Sequence, residues 1–223
     1  CVDWRDLPRY ARTMPGRYFL TTPLADVAAL FSADIGDLAD PGPRLDAAPG
    51  EAVAAIIRDE DASVRRMREM RWGMIPMGRK NARGRPVMET IVNARSETLF
   101  AKSAFDGVRR CILPVGGWYE WTGAKRRKTR WKISAKDASL LAFAAIWDVW
   151  RAPGGGEVAS LATVTVAPND DLEEIHHRMP AILPPSAWPL WLGDAEGDAE
   201  GDPATVLATA PNGLLSIRES DLR

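Results

Sequence analysis

Both histidines of this 223-residue chain stand side by side in EEIHHRMPAIL, residues 173–183, with an arginine and a proline after them. Imidazole titrates near neutrality, so each is a candidate acid or base. Neighbouring positions of a regular helix or strand face different ways, so one of the two is expected in any given pocket. GGWYEW, residues 116–121, sets Glu120 among Trp118, Tyr119 and Trp121. Partial desolvation there raises a carboxyl pKa and suits it to proton transfer. IVNARSET, residues 91–98, places Asn93 and Arg95 two apart, on one face if extended. RWGMIP, residues 71–76, ends an expected strand with Trp72 and a proline.

Each group has a plainer use. An Asn before a helix is commonly a cap, a Glu among tryptophans a hydrogen-bonded structural group, a His a satisfied partial-core residue. Taken together, His, Glu and Asn at the ends of apolar segments are what an acid–base site needs. Cys1 and Cys111 lie far apart without CxxC spacing, and two histidines with two cysteines make no zinc-like cluster. Neither a metal, a cofactor nor a disulfide is expected.

The elements that must position these groups are mixed. TTPLADVAALF predicts a helix with Thr22 as cap, Pro23 at its first position, and Leu24, Val27, Leu30 and Phe31 on one face. Residues 51–76 predict two strands about an acidic turn, and SETLFAKSAF a short helix opened by Ser96. The runs at 109–121, 130–134, 140–150 and 158–168 are apolar, β-branched or aromatic and predict strands of one mixed sheet or barrel. NDDLEEI predicts a short helix delivering the histidines at its end, and PPSAWPLWLG another. No domain boundary or solenoid repeat stands out, so a single α+β domain over residues 1–223 is expected.

With 46% apolar residues and nine Trp, a buried core is assured. No apolar run nears the roughly 20 residues that span a bilayer, and CVDWRDLPRY lacks a signal-peptide core, so a cytoplasmic monomer away from membranes is expected. The net charge of −1 conceals sorted charge: GRKNARGR (78–85) and AKRRKTRWK (124–132) are basic, DAEGDAEGDP (194–203) is acidic. Basic runs often decorate hairpin tips. With Trp118, Trp121 and Trp131 close by, they also suit a groove for single-stranded nucleic acid. The acidic repeat is expected to be a solvated surface loop.

GRYFLTTP, APGE, RWGMIP, VNARSET, CILPVGGWYEW, FAAIWDVW and IHHRMPAIL occur in the order and approximate spacing of the SOS-response-associated peptidase (SRAP) family of abasic-site processing proteins. The chain resembles that family from about Gly16 to about His177. The resemblance implies an α+β domain on a curved, largely antiparallel sheet with a basic cleft for single-stranded DNA. It also implies covalent capture of abasic sites: an N-terminal cysteine, freed of its initiator Met, attacks the ring-opened aldehyde. Its amine forms a Schiff base that the thiol closes to a thiazolidine. By the same resemblance His176 gives a proton to the sugar oxygen, Glu120 accepts one near the amine, and Asn93 orients the attacking terminus. Arg17 and Arg95 match phosphate-holding arginines, and Pro49, Trp72 and Thr165 match positions along the DNA path. His176 is then the pocket histidine and His177 the outer one.

One departure matters. The family pattern begins Met-Cys-Gly-Arg, whereas MPGRYFL puts Pro15 at the cysteine position behind a segment of residues 1–14. Cys1 is the expected nucleophile. A freed Pro15, a secondary amine able to form an iminium, and loss of the nucleophile altogether are the alternatives. A thiol peptidase, and a binding module without chemistry, use the same parts.

Overall fold

The computed structural model describes residues 16–59, 64–75, 90–101, 105, 107–124, 127–152, 155–194 and 201–221. Cys1 with the rest of segment 1–14, Pro15, the basic run at 78–85 and most of the acidic repeat lie outside them.

Two paired runs organise the chain. β4 (Ala52–Asp59) and β5 (Val64–Trp72) form the hairpin expected around the acidic turn. β7 (Arg109–Val115), β10 (Leu141–Arg151) and β11 (Glu157–Val166) are the apolar strands, antiparallel to one another. β4 meets β7 at Ile56 and Ile112, and β5 meets β11 in parallel through Arg71–Ser160 and Trp72–Leu161. The five strands therefore close into a barrel. β2 (Ala33–Asp34), β6 (Asn93–Arg95) and β12 (Met179–Pro180) lie along its strands β5 and β11.

The second sheet is β13–β9–β8–β1–β3, from β1 (Arg17–Leu20), β3 (Arg44–Ala47), β8 (Gly117–Thr122), β9 (Thr129–Ala135) and β13 (Leu215–Glu219). The run expected as one strand through CILPVGGWYEW breaks at Gly116: β7 belongs to the barrel and β8 to this sheet. Gly117 permits the switch, because a Cβ there would sit 2.1 Å from the Ile133 carbonyl oxygen. Tyr18 packs on Trp72 at 5.3 Å and Trp118 on Phe143 at 5.5 Å, so the second sheet covers one end of the barrel and shares its core. The fold class is α+β, with the antiparallel core divided between two sheets.

The helices are shorter than the sequence predicts. α1 (Leu24–Leu30) starts after Pro23, and Asp40, not Thr22, accepts from the first free N–H, that of Leu24, at 2.9 Å. The Pro/Gly-rich connection thus returns to cap the helix. Val27 and Phe31 are buried as expected, while Leu30 faces out. α2 (Ser96–Leu99) is one turn, with Ser96 its first residue. NDDLEEI makes consecutive turns instead of a helix: Leu172 and Glu173 both donate to Asn169 O, Ile175 and His176 to Leu172 O. α3 (Trp188–Leu192) follows a 3-10 turn at Pro185–Ala187 and ends at Gly193 in the left-handed region.

Candidate active site

Glu120 enters from the second sheet. Strand alternation turns Tyr119 toward Phe19 and Arg130, and Trp118 and Glu120 the opposite way, toward the barrel. Glu120 is 4% exposed and its Oε1 has no hydrogen-bond partner. Burial pushes the carboxyl up to about 8, with Trp118 pulling weakly the other way. A neutral acid is thereby kept at pH 7, close enough to its pKa to give and take a proton. In β1, Arg17 pairs Tyr119 and Tyr18 pairs Trp118. The chain therefore enters its first strand, at Arg17, next to this acid.

Asn93, Arg95 and Thr165 lie at the C-terminal end of β11, and Arg178, hydrogen-bonded to Thr165, ties the turn that carries His176 to the same strand. Asn93 pairs Thr163 and Arg95 pairs Thr165 in the β6–β11 ladder. Both amide atoms of Asn93 and the Thr163 hydroxyl are buried without partners. His176 and His177 lie in an irregular stretch, so their rings stack at 4.2 Å instead of diverging. The alternation argument fails there, yet the ranking of exposure follows it: His176 is half-buried and His177 exposed. The Arg178 N–H donates to His176 Nδ1 at 3.0 Å. Neutral His176 therefore carries its proton on Nε2 and offers that N–H as a donor. Burial, and after it His177, hold its pKa below the usual value.

Asn93 and Thr163 adjoin the β5–β11 seam of the barrel that Glu120 faces from the second sheet. Trp72 pairs Leu161, and Thr163, two residues on, takes the Val92 carbonyl next to Asn93. Trp72 itself is wholly buried, donating to Glu51 O and accepting from Gly50 N–H, so it holds the APGE turn. Pro49 is buried in that turn, and Thr165 is buried with its hydroxyl donating to Ala94 O at 3.2 Å. Pro49, Trp72 and Thr165 thus lie inside the fold, where they support the backbone next to the candidate site. Trp118 likewise belongs to the core, and Trp131 is tied to Thr122 at 2.8 Å; neither is an open platform. Lining positions and core positions have the same apolar composition, so sequence does not separate them.

Arg95 is exposed at the rim. Arg17 reaches Asp46 at 3.3 Å, and the same carboxylate holds Arg130 at 3.0 Å. With Trp121 and Lys128 these residues line a surface cavity of about 460 Å³. The sequence reading passed over Arg178. Its guanidinium is forked on Glu97, 2.9 Å on one side, and also reaches the Thr165 carbonyl. That hydrogen bond from Arg178 holds the Glu97 carboxyl down at about 2. The signal was present as His-His-Arg, two residues after His176. Among the described residues the one cysteine is Cys111, at 0% exposure, with its thiol pushed far up by burial; it is no nucleophile. Nor do three His, Cys, Asp or Glu side chains converge as metal ligands among those residues. No described helix is long and apolar enough to cross a membrane.

Comparison with known proteins identifies relatives over most of the chain. The chain is 31% identical over 192 residues to the abasic site processing protein YoqW of Bacillus subtilis, covering 84% of each chain. It is 32% identical over 186 residues to YoaM, an abasic site processing protein of the same bacterium, covering 80% of this chain and 79% of that one. With the abasic site processing protein HMCES of Gallus gallus the identity is 33%, over 63% of this chain and 49% of the longer relative. Crystal structures of proteins from Bordetella bronchiseptica and Bacteroides thetaiotaomicron share the fold, each with a TM-score of 0.73, covering 93% and 91% of this chain and 100% and 90% of theirs. They are 25% and 24% identical to it. Residues 14–219 match the sequence pattern described as SOS response associated peptidase (SRAP). The chain belongs to the SRAP family.

Proposed function

We propose that this protein processes abasic sites in DNA, binding a single strand and capturing the ring-opened sugar aldehyde covalently. The observation that carries this reading is Glu120: a buried, half-unpartnered carboxyl held near neutrality beside the start of β1. Imine formation needs such a group. The amine adds to the aldehyde carbon, the carbinolamine loses its oxygen as water, and a proton must arrive at that oxygen while one leaves the nitrogen. Glu120 exchanges the nitrogen proton. His176 donates through Nε2 on the sugar-oxygen side, and the unpartnered amide of Asn93 orients the reacting groups. Arg17 and Arg95 hold flanking phosphates, while Arg178 fixes Glu97 against Thr165 beside them.

With Cys1 as nucleophile, its thiol adds to the imine carbon and the product is a stable thiazolidine. A second reading is favoured by the start of β1 at Arg17, opposite Tyr119 and so next to Glu120, since Pro15 stands two residues before it in the sequence. As an internal tertiary amide Pro15 is inert. As a freed terminus it gives an iminium with the same aldehyde, and this electron sink promotes strand cleavage by β-elimination.

The test is intact mass followed by reaction with abasic single-stranded DNA on denaturing gels, with and without borohydride. A reductant-free adduct lost in Cys1→Ala supports the thiol. Trapping only with borohydride, on a chain that begins at Pro15, supports the imine route. Salt-sensitive binding with neither product overturns the covalent reading and leaves a binding module; cleavage of peptides without DNA chemistry replaces it with a thiol peptidase.

A further inference from the structure

The second sheet covers one end of the barrel, where the candidate active site lies; the other end carries a different chemistry. From Val53 beside the site to Asp59, β4 travels on the order of 20 Å. At that far end Arg66 and Arg68 of β5, Arg109 of β7 and Trp147 of β10 surround a cavity of about 440 Å³ that also touches Ile57 and Asp59. Trp147 is buried, and two guanidiniums lie on its ring: Arg109 at 3.5 Å from the centroid and Arg68 at 4.9 Å.

The arginines of this cavity are not equally engaged. Arg58 donates to the Gly193 carbonyl under α3. Arg66 is paired with Asp59 at 3.0 Å, and Asp34 lies 4.0 Å away. Glu157 is the acid whose field reaches Arg68, but its carboxylate is taken by Arg151 at 2.7 Å. Arg68 and Arg109 have no carboxylate within ion-pair distance among the described residues, which exclude the β4–β5 turn. Two like charges are therefore held on one indole, partly out of water. Such an arrangement costs free energy unless an anion joins it. The indole fixes both planar forks in advance, so little side-chain freedom is left to lose on binding an oxyanion.

We propose that Arg68 and Arg109, stacked on Trp147 at the far end of the barrel, form a phosphate-binding site separate from the candidate active site. A tetrahedral oxyanion accepts two N–H groups from each of two forks, which a carboxylate cannot do as well. The 440 Å³ cavity is large enough for a phosphate with its attached group, from a free phosphate or from the backbone of a nucleic acid strand.

The test titrates inorganic phosphate into the full chain by calorimetry at low salt, and repeats it with Arg68→Gln, Arg109→Gln and the double variant. Binding in the wild type, weakened about tenfold by each substitution and abolished in the double variant, is expected. Arg68→Lys with Arg109→Lys keeps the charge without the fork and should bind more weakly than the wild type; it serves if the glutamine pair fails to fold. No phosphate binding by the wild type, or binding unchanged in the double variant, overturns the site. Salt dependence of binding to a long, undamaged single-stranded oligonucleotide separates the sources. A slope lowered by about 0.7, one phosphate's share on a single strand, in the double variant assigns the phosphate to a strand; an unchanged slope with loss of phosphate binding assigns it to a free anion.

Discussion

Two buried regions of this protein treat polar groups in opposite ways. Under α3, each arginine that comes inside finds an oxygen: Arg58 the Gly193 carbonyl, Arg110 the Trp191 carbonyl, Arg65 the Asp194 carboxylate at 2.7 Å. Trp191 in turn donates to the Cys111 carbonyl at 2.8 Å. At the β5–β11 seam and beside β1, by contrast, Asn93, Thr163 and Glu120 Oε1 are buried with nothing to bond. An unpaired buried polar atom costs about 1–3 kcal/mol, so a fold keeps several together only where something other than stability retains them. The first region holds the chain together, and the second is the one to which the proposed function assigns a partner from outside.

The sharpest break between the regions is expected at Glu120. Glu120→Gln removes the exchangeable proton and should slow adduct formation with abasic DNA by about 10²–10⁴-fold, read on denaturing gels. The same substitution should alter stability in a defined pH window. Burial pushes the Glu120 carboxyl up to about 8 from its ordinary 4.5, so the folded state holds the extra proton between them. That contribution is fully present below about pH 4.5 and lost as pH rises through about 8. Relative to the Gln variant, the wild type should therefore lose on the order of a few kcal/mol across this window in chemical denaturation. A constant difference between the two proteins would place the carboxyl in water.

Arg110→Met tests the other region. Losing the donor to the Trp191 carbonyl should cost about 1–3 kcal/mol in urea unfolding and leave adduct rates unchanged. Asn93→Ala should do the reverse, lowering the adduct rate with stability held to within about 1 kcal/mol, because its amide bonds nothing in the folded chain. His176→Ala should impair the reaction more than His177→Ala, though the 4.2 Å ring stack means that the outer histidine has some effect through the inner one. Equal loss from the two would remove His176 from its role. The smallest effect is expected at the rim: Arg95→Ala should reduce the salt slope of single-stranded DNA binding by about one, without sequence preference.

How much of this was readable beforehand divides along the same line. The β4–β5 hairpin, the apolar strands and Glu120 among aromatics follow from period and composition, which local residues specify. The barrel closure does not, because the parallel β5–β11 pairing joins strands distant in sequence. Gly116 and Gly117 were visible as a turn, but only the carbonyl of Ile133 behind them explains the change of sheet. The histidine turns were misread as a helix because Asn-Asp-Asp is good cap chemistry, and here tertiary contacts claim it: Asp171 accepts from Gly213 N–H at 2.7 Å. The burial of Trp72, Pro49 and Thr165 is not legible in sequence, because motif position says nothing about depth. Arg178 was overlooked since its fork on Glu97 spans two elements that only the fold brings together.

The β5–β11 seam also sets an order of events. Its partners, Arg71 with Ser160 and Trp72 with Leu161, are among the most separated strand pairs in the chain. Such a contact repays its loop-closure entropy only after the intervening hairpins have folded. Asn93 and Thr163 pair next to that seam, so their juxtaposition depends on it. A chain that stops before β11 can form the β4–β5 hairpin and the β7–β10 ladder, yet it never brings Asn93 to its place.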